Sequence, residues 1–249
     1  MQQFRLEKGQ YLRALALIAG DELAKSLGGD IRDMMPSVGL DPTVMRNLDQ
    51  LISFRACIAL QEMCAAHFDM PDFGLRCTKA MEPSHPNLGP VLALAHFAPT
   101  ARDWFDDVMS YWAYHTNAFT FEIHEEVLPG LSIFREVNHL VGLKSRQYAE
   151  HVIANIVSVV RIGLNLPDRD PTIVRFRHNR PRSIATHEEF FRCPVEFGCE
   201  HDELVFATDI MQTRTQGNLA FLRPIMQRYV QSRIDRLEFY DAGVATNVA

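Results

Sequence analysis

Basic charge is scarce in this 249-residue sequence. Lysine occurs four times against 21 arginines, a hint of a GC-rich coding sequence, and acidic residues outnumber basic ones for a net charge of −6. A free-standing binder of duplex DNA carries a basic face, so direct nucleic-acid binding by this chain is not expected. Paired cysteines are missing too. Cys57, Cys64, Cys77, Cys193 and Cys199 are odd in number and form no CxxC pair, which argues against a disulfide framework and a zinc knuckle. That usage suits a reducing cytosol, and a cytoplasmic location is expected. No uncharged apolar run nears the ~18 residues of a membrane span. Arg5, Lys8 and Arg13 precede an apolar run over 14–19, but Asp21 and Glu22 follow with no small-residue cleavage site. The segment reads as an amphipathic first helix and not as a signal peptide.

Catalytic signatures are absent as well. There is no GxSxG, no P-loop and no GxGxxG. His124-Glu125-Glu126 and His187-Glu188-Glu189 begin like the HExxH zinc motif, which needs a second histidine four residues on to share a helix face. Leu128 and Phe191 stand there instead. No metal, no cofactor and no catalysis are expected.

What is present points to one α+β domain. Apolar residues make up 47% and charged residues 22%, ordinary for a chain long enough to bury its own core. Leu12, Leu15, Ile18, Ala19 and Leu23 recur at helical spacing, and Leu48, Leu51, Ile52, Phe54, Ile58, Leu60 and Met63 predict a long helix to about residue 68. Asp41-Pro42 suits another helix start. Prolines and glycines punctuate 71–90, which reads as loop-rich. Thr100 is placed to cap a helix with Asp103 at its third position. From there the period changes. Phe119, Phe121 and Ile123 alternate with Thr120, Glu122 and His124, a strand with one wet face. Pro129-Gly130 predicts a turn into a return strand over 131–137. A helix over 145–164, a strand over 171–178 and a short helix over 187–192 capped by Thr186 come after it. Strands over 194–197 and 203–207 joined by a turn come next, then a helix over 217–239. The expected order is helices, then β-β-α-β-α-β-β, then a C-terminal helix. That is an α+β fold: a helical N-terminal half followed by a mainly antiparallel sheet with packed helices. One domain is expected over 1–240, mainly helical over 1–116 and sheet-containing over 117–210, with a flexible tail over 241–249.

The stretch 104–115 is the richest binding candidate. Trp104, Tyr111, Trp112 and His115 either pack in the core or line an apolar pocket. Arg175 alternates with Val174 and Phe176. It sits on the wet face of the sheet, or clamps an anionic ligand if that face lines a cavity. In the last helix, Leu222, Met226, Val230, Ile234 and Leu237 follow steps of three and four. That stripe either packs on its own domain or serves self-association or signalling to an adjoining domain.

Several passages, taken in order, carry a resemblance. They are Phe73-Gly74-Leu75 before Gly89-Pro90, Ala98-Pro99-Thr100 opening a helix, IVRFRHNRP at 173–181, EEFFRCPVEFG at 188–198 and ELVFATDIM at 203–211. Over roughly residues 10–225 the chain resembles the N-terminal effector domain of AraC-type transcription regulators, in the arabinose-binding-like subgroup. The CPVEFG passage is the most specific part. The resemblance implies a bacterial regulator that receives a small-molecule effector and often forms a homodimer. It also implies DNA contact only through a helix-turn-helix domain after the last helix, which is not within these 249 residues. It does not fix arabinose as the ligand, and no site residue carries over. The effector is expected to be partly apolar, a carboxylate among the options, in a pocket bordered by 104–115 and the sheet. The rival readings are a dimerisation module without a ligand and an enzyme on a similar scaffold.

Overall fold

The structure, a computed structural model, describes residues 9–81, 89–94, 97–139, 145–215 and 219–245. The chain opens with β1 (Tyr11–Arg13), α1 (Ile18–Ser26), β2 (Leu51–Ser53), α2 (Phe54–His67), α3 (Phe73–Met81), α4 (Pro90–Ala93) and α5 (Ala101–Ser110). It continues through β3 (Phe119–Leu128), β4 (Leu131–Asn138), α6 (Arg146–Ser158), β5 (Ile173–Phe176), α7 (Ala185–Phe191), β6 (Val195–Phe197), β7 (Glu203–Ala207) and α8 (Arg223–Ala245). The class is α+β. A five-stranded sheet has the order β3-β4-β7-β5-β6, and β1 and β2 form a separate two-stranded sheet. Within the large sheet β5 and β6 run parallel, and the other neighbours are antiparallel.

The second half follows the expected order, with one change of partners. Strands β6 and β7 are joined by a turn but do not pair with each other. Each lies along one edge of β5, so Val174 meets Val195 on one side and Leu204 on the other. Val174 and Phe176 are fully buried. A strand on both edges gives the backbone of that buried segment its hydrogen bonds. At the other end of the sheet, Leu128 pairs with Leu131 across Pro129-Gly130. Gly130 has φ 75°, the glycine position of a Pro-Gly turn.

The first half departs further from expectation. Leu12 lies in β1, opposite Ile52 of β2, so the two expected helices begin only at Ile18 and Phe54. The spacing of apolar residues suited a helix, but pairing across 40 residues of chain decided for strands, which no local pattern reports. Ser53 then caps α2, accepting from Ala56 N at 3.3 Å. Asp41 caps a 3₁₀ stretch, Pro42–Arg46, and not an α-helix. Thr100 caps α5 as expected, accepting from Asp103 N. Thr186 does not cap α7: it lies inside the helix and donates to Asp72 Oδ2 at 2.6 Å. Helix α8 runs from Arg223 to Ala245. Residues 82–88, 246–249 and the expected helix start at Gly217 lie outside the described residues.

A close approach of two helices orients α6. A Cβ added to Gly74 of α3 would stand 2.0 Å from the backbone oxygen of Gln147 in α6, so only glycine allows this approach. Gly74 N donates to Gln147 Oε1 at 2.7 Å, and His151 Nδ1 donates to Gly74 O at 3.2 Å. Helix α6 is thus fixed against α3 and turned so that its other side faces the sheet.

Candidate functional site

A cavity of about 100 Å³ lies between α2, α5, α6 and the aromatic face of β3 and β4. From α2 come Phe54, Cys57, Ile58 and Gln61; from α5, Trp104, Phe105, Val108 and Met109. Trp112 and His115 follow α5 directly. Phe119, Phe121 and Ile123, the alternate residues of β3, close one wall with Phe134 of β4. From α6 come Tyr148, His151, Val152, Asn155 and Ile156, which recur at steps of three and four along one helix face. The aromatic rings touch edge to face: Trp112 lies 5.4 Å from Phe119 and 5.0 Å from Phe121, and Phe54 lies 5.1 Å from Tyr148.

Into this apolar shell the fold brings a few polar groups without partners. Gln61 Oε1, Trp104 Nε1, His115 Nδ1 and Asn155 Oδ1 are buried, and none has a hydrogen-bond partner. All four residues line the cavity. Buried polar atoms are almost always paired, and four of the eight unpaired side-chain atoms among the described residues line this one space. Other polar groups there are engaged. Trp112 Nε1 donates to Phe119 O at 2.9 Å. Asn155 Nδ2 donates to His151 Nε2 at 3.0 Å, which leaves the amide oxygen as the free end of that side chain.

Among the described residues, no Asp, Glu, Lys or Arg lines the site. Burial pushes His115 down to about 3, with Arg13 and His151 adding to the effect, so the imidazole is neutral near pH 7. Behind the wall, Tyr148 donates to Glu136 Oε1 at 2.9 Å. Burial lifts Glu136 to about 7 against that hydrogen bond, with Asp202 adding to the rise. On its far side α6 is held to α7, where His187 Nε2 donates to the buried Glu150 Oε1 at 2.8 Å. His124, of the other HExxH-like stretch, lies on β3 against Glu122. Among the described residues no group of three or more His, Cys, Asp or Glu is placed to hold a metal ion.

Of the residues singled out from the sequence, Trp104, Trp112 and His115 come together around the cavity. Tyr111 does not line it; half-buried at the end of α5, it packs on the core. Arg175 is also elsewhere. It pairs with Glu196 at 2.9 Å and Glu203 at 3.0 Å on the far strands of the sheet, and both hydrogen bonds raise its guanidinium. Sequence reasoning missed the α2 and α6 walls. The available signal was a polar residue interrupting an apolar stripe: Gln61 among the core residues of α2, and His151 and Asn155 in α6.

The stripe on α8 turns inward. Val230 is fully buried and Ile234 nearly so, Met226 packs on the core, and Leu222 and Leu237 are half-buried. Polar residues fasten the helix to α5: Arg223 Nε bonds Asp107 Oδ2 at 2.7 Å, and Gln227 Nε2 bonds Asp107 Oδ1 at 2.7 Å. Arg233 reaches Asp49 at 3.0 Å. What α8 and its approach expose is a different row, Phe221, Ile225 and Tyr229, each at least half exposed.

The model of the arabinose-binding domain of AraC transcription regulators, N-terminal, matches residues 28–215, three-quarters of the chain and nearly all of the cavity walls. The chain belongs to this AraC-type family. The HTH-type transcriptional regulator VirS of Mycobacterium tuberculosis is 27% identical over 194 residues, 78% of this chain and 56% of VirS. The chain therefore spans little more than half the length of the curated relatives it matches. The crystal structure of the transcriptional regulator CdpR from Pseudomonas aeruginosa shares the fold at 14% identity, with a TM-score of 0.56 over 83% of this chain and 65% of that one. In this AraC-type domain the cavity thus falls almost wholly within the region that the family model matches.

Proposed function

We propose that this AraC-type domain is a sensor: a small, partly apolar effector occupies the cavity and its binding is passed on through α8 to a helix-turn-helix module. One observation carries the reading. The four unpaired polar atoms stand around a space that the surrounding apolar side chains do not fill. Such groups are costly in a finished core and useful in a site that receives a polar end of a ligand.

Helix α5 supports the second half of the proposal. Its inner face gives Trp104, Phe105 and Val108 to the cavity, while its outer face gives Asp103 and Asp107 to Arg223 and Gln227 of α8. A ligand that moves α5 moves the charged contacts that seat α8. This is a contiguous physical route, and its test is coupling, not adjacency.

A thermal-shift screen of small metabolites tests the sensor reading. A ligand at about 100 times its Kd stabilises by about 2.7 kcal/mol, roughly 5–10 °C for a domain of this size. If no compound in a chemically broad set raises the Tm at millimolar concentration, the sensor reading fails. For the route, Asp107→Asn should leave binding in place and remove the ligand's effect on hydrogen exchange in α8.

A homodimer is the second reading, favoured by the exposed row Phe221, Ile225 and Tyr229. Sedimentation at tens of micromolar decides it. A monomer there, or a dimer that survives Phe221→Glu with Ile225→Glu, removes that face from consideration.

A further inference from the structure

The cavity's own chemistry goes further than its existence. We infer that its ligand is an uncharged molecule about the size of one ring, with an apolar body and a single hydroxyl or amide group. This deepens the sensor reading and rests on it.

Size comes first. An apolar cavity of roughly 150 Å³ is known to hold benzene. A cavity of about 100 Å³ therefore suits one ring or a short branched chain, with small adjustments of the walls, and not a long acyl chain or a fused polycycle.

Charge comes second. An anion would need a cation or several N–H donors. Among the described residues no arginine or lysine lines the cavity, and His115 stays neutral because burial and the nearby Arg13 hold it at about 3. Arg175, which the sequence offered for an anionic ligand, pairs with Glu196 and Glu203 on other strands and does not line the cavity. A ligand carboxylate would also face the oxygens Gln61 Oε1 and Asn155 Oδ1, acceptors that it cannot satisfy. The same argument rejects a cation, for which no carboxylate among the described residues lines the site.

Hydrogen-bond demand comes third, and it selects the polar group. Trp104 Nε1 can only donate, so the ligand must offer an acceptor. The two amide oxygens require a donor. His115 Nδ1 fits either role according to its tautomer. A hydroxyl, which donates once and accepts twice, matches this set; an amide does too. A sugar does not. Its ring of hydroxyls would outnumber the polar atoms available, and the rest would lie against Phe54, Phe105, Phe119 and Phe134. The family's arabinose name therefore does not describe the occupant of this cavity.

The chain reports on the site directly, because it has two tryptophans and both line the cavity. Four probes share one scale and differ in polar group: cyclohexanol, methylcyclohexane, cyclohexanecarboxylate and L-arabinose. Titrated against intrinsic tryptophan emission at pH 7, cyclohexanol should give a saturable change. Methylcyclohexane should bind about tenfold more weakly for want of the hydroxyl's bonds, and the carboxylate and the sugar should give no saturable change. Gln61→Met, checked by circular dichroism, should bring cyclohexanol closer to methylcyclohexane. Saturable binding of the carboxylate or the sugar, but not of cyclohexanol, overturns the ligand class and leaves the sensor reading standing. Equal affinity for cyclohexanol and methylcyclohexane overturns the role given to the polar atoms. If none of the four changes the emission, the ligand class and the sensor reading fall together.

Discussion

Replacing Glu136 by Gln should stabilise this domain above neutral pH and leave it nearly unchanged in mild acid. Glu136 lies on β4 with its carboxyl almost fully buried, Tyr148 donating to it at 2.9 Å and its backbone N–H bonded to Asp202 O. Burial raises it from its ordinary 4.5 to about 7, with Asp202 pushing the same way and Tyr148 and Arg177 opposing. Each tenfold step in acidity is worth ~1.4 kcal/mol, so the charged form in the native state costs about 3 kcal/mol. The sign follows from proton counts. Below 4.5 the group is protonated in both folded and unfolded chains, and no penalty applies. Between 4.5 and about 7 the native state holds a proton that the unfolded chain releases, so stability falls as pH rises. Above about 7 the penalty is complete and constant. A glutamine can keep the Tyr148 hydrogen bond, since its amide oxygen accepts as the carboxylate does, and it does not titrate. In urea unfolding followed by circular dichroism, the variant should match the parent near pH 4.5 and exceed it by about 3 kcal/mol near pH 8, roughly 6–12 °C in Tm. A difference between the two proteins that stays flat across this range would refute the reasoning. Tyr148 also lines the cavity, so ligand affinity measured across the same range shows whether the titration reaches the site.

Three further outcomes are expected. His115, held at about 3, refuses a proton that the unfolded chain takes up from 6.5 downward. Stability should therefore drop between pH 6.5 and 3, by up to about 5 kcal/mol, and His115→Phe should flatten that slope in acid unfolding curves. Gly74→Ala places a methyl group 2.0 Å from a backbone oxygen of α6; it should cost about 3 kcal/mol or more in denaturant unfolding and redden the tryptophan emission as α6 moves off. Val230→Arg buries a charge with no partner at a fully enclosed position. It should lower the Tm sharply instead of altering association, and a parent-like melting curve with a changed sedimentation coefficient would show that the stripe faces another molecule after all.

Local chemistry made much of this chain legible. Thr100 and Asp103 announce the start of α5, and Ser145, accepting from Tyr148 N, does the same for α6. Pro129-Gly130 marks the β3–β4 turn, and the alternation of Phe119, Phe121 and Ile123 shows which face of β3 is dry. Helix starts, turns and strand faces depend on residues a few positions apart, where sequence spacing and spatial spacing agree. The order of elements after residue 117 was readable for that reason, and so was the aromatic segment that supplies Trp104, Trp112 and His115.

Tertiary structure decided the rest. Leu12 and Ile52 became strand partners because a segment 40 residues away was available to pair with. The α8 stripe faces its own domain because Asp107, more than a hundred residues earlier, anchors Arg223 and Gln227. Arg175 pairs with Glu196 and Glu203, which meet it only in space, and lies away from the cavity. The cavity itself is the clearest case. Gln61, Trp104, His115 and Asn155 come from three separate stretches, α2, residues 104–115 and α6, and each alone looks like a polar residue in want of a partner. Whether a buried polar atom finds a partner depends on every element packed around it. Local spacing indicated many of the buried residues, though not always the kind of element that carries them, as Leu12 and Ile52 show. Only the packing of α2, α5 and α6 on the sheet determined that four of them would face one space unpaired.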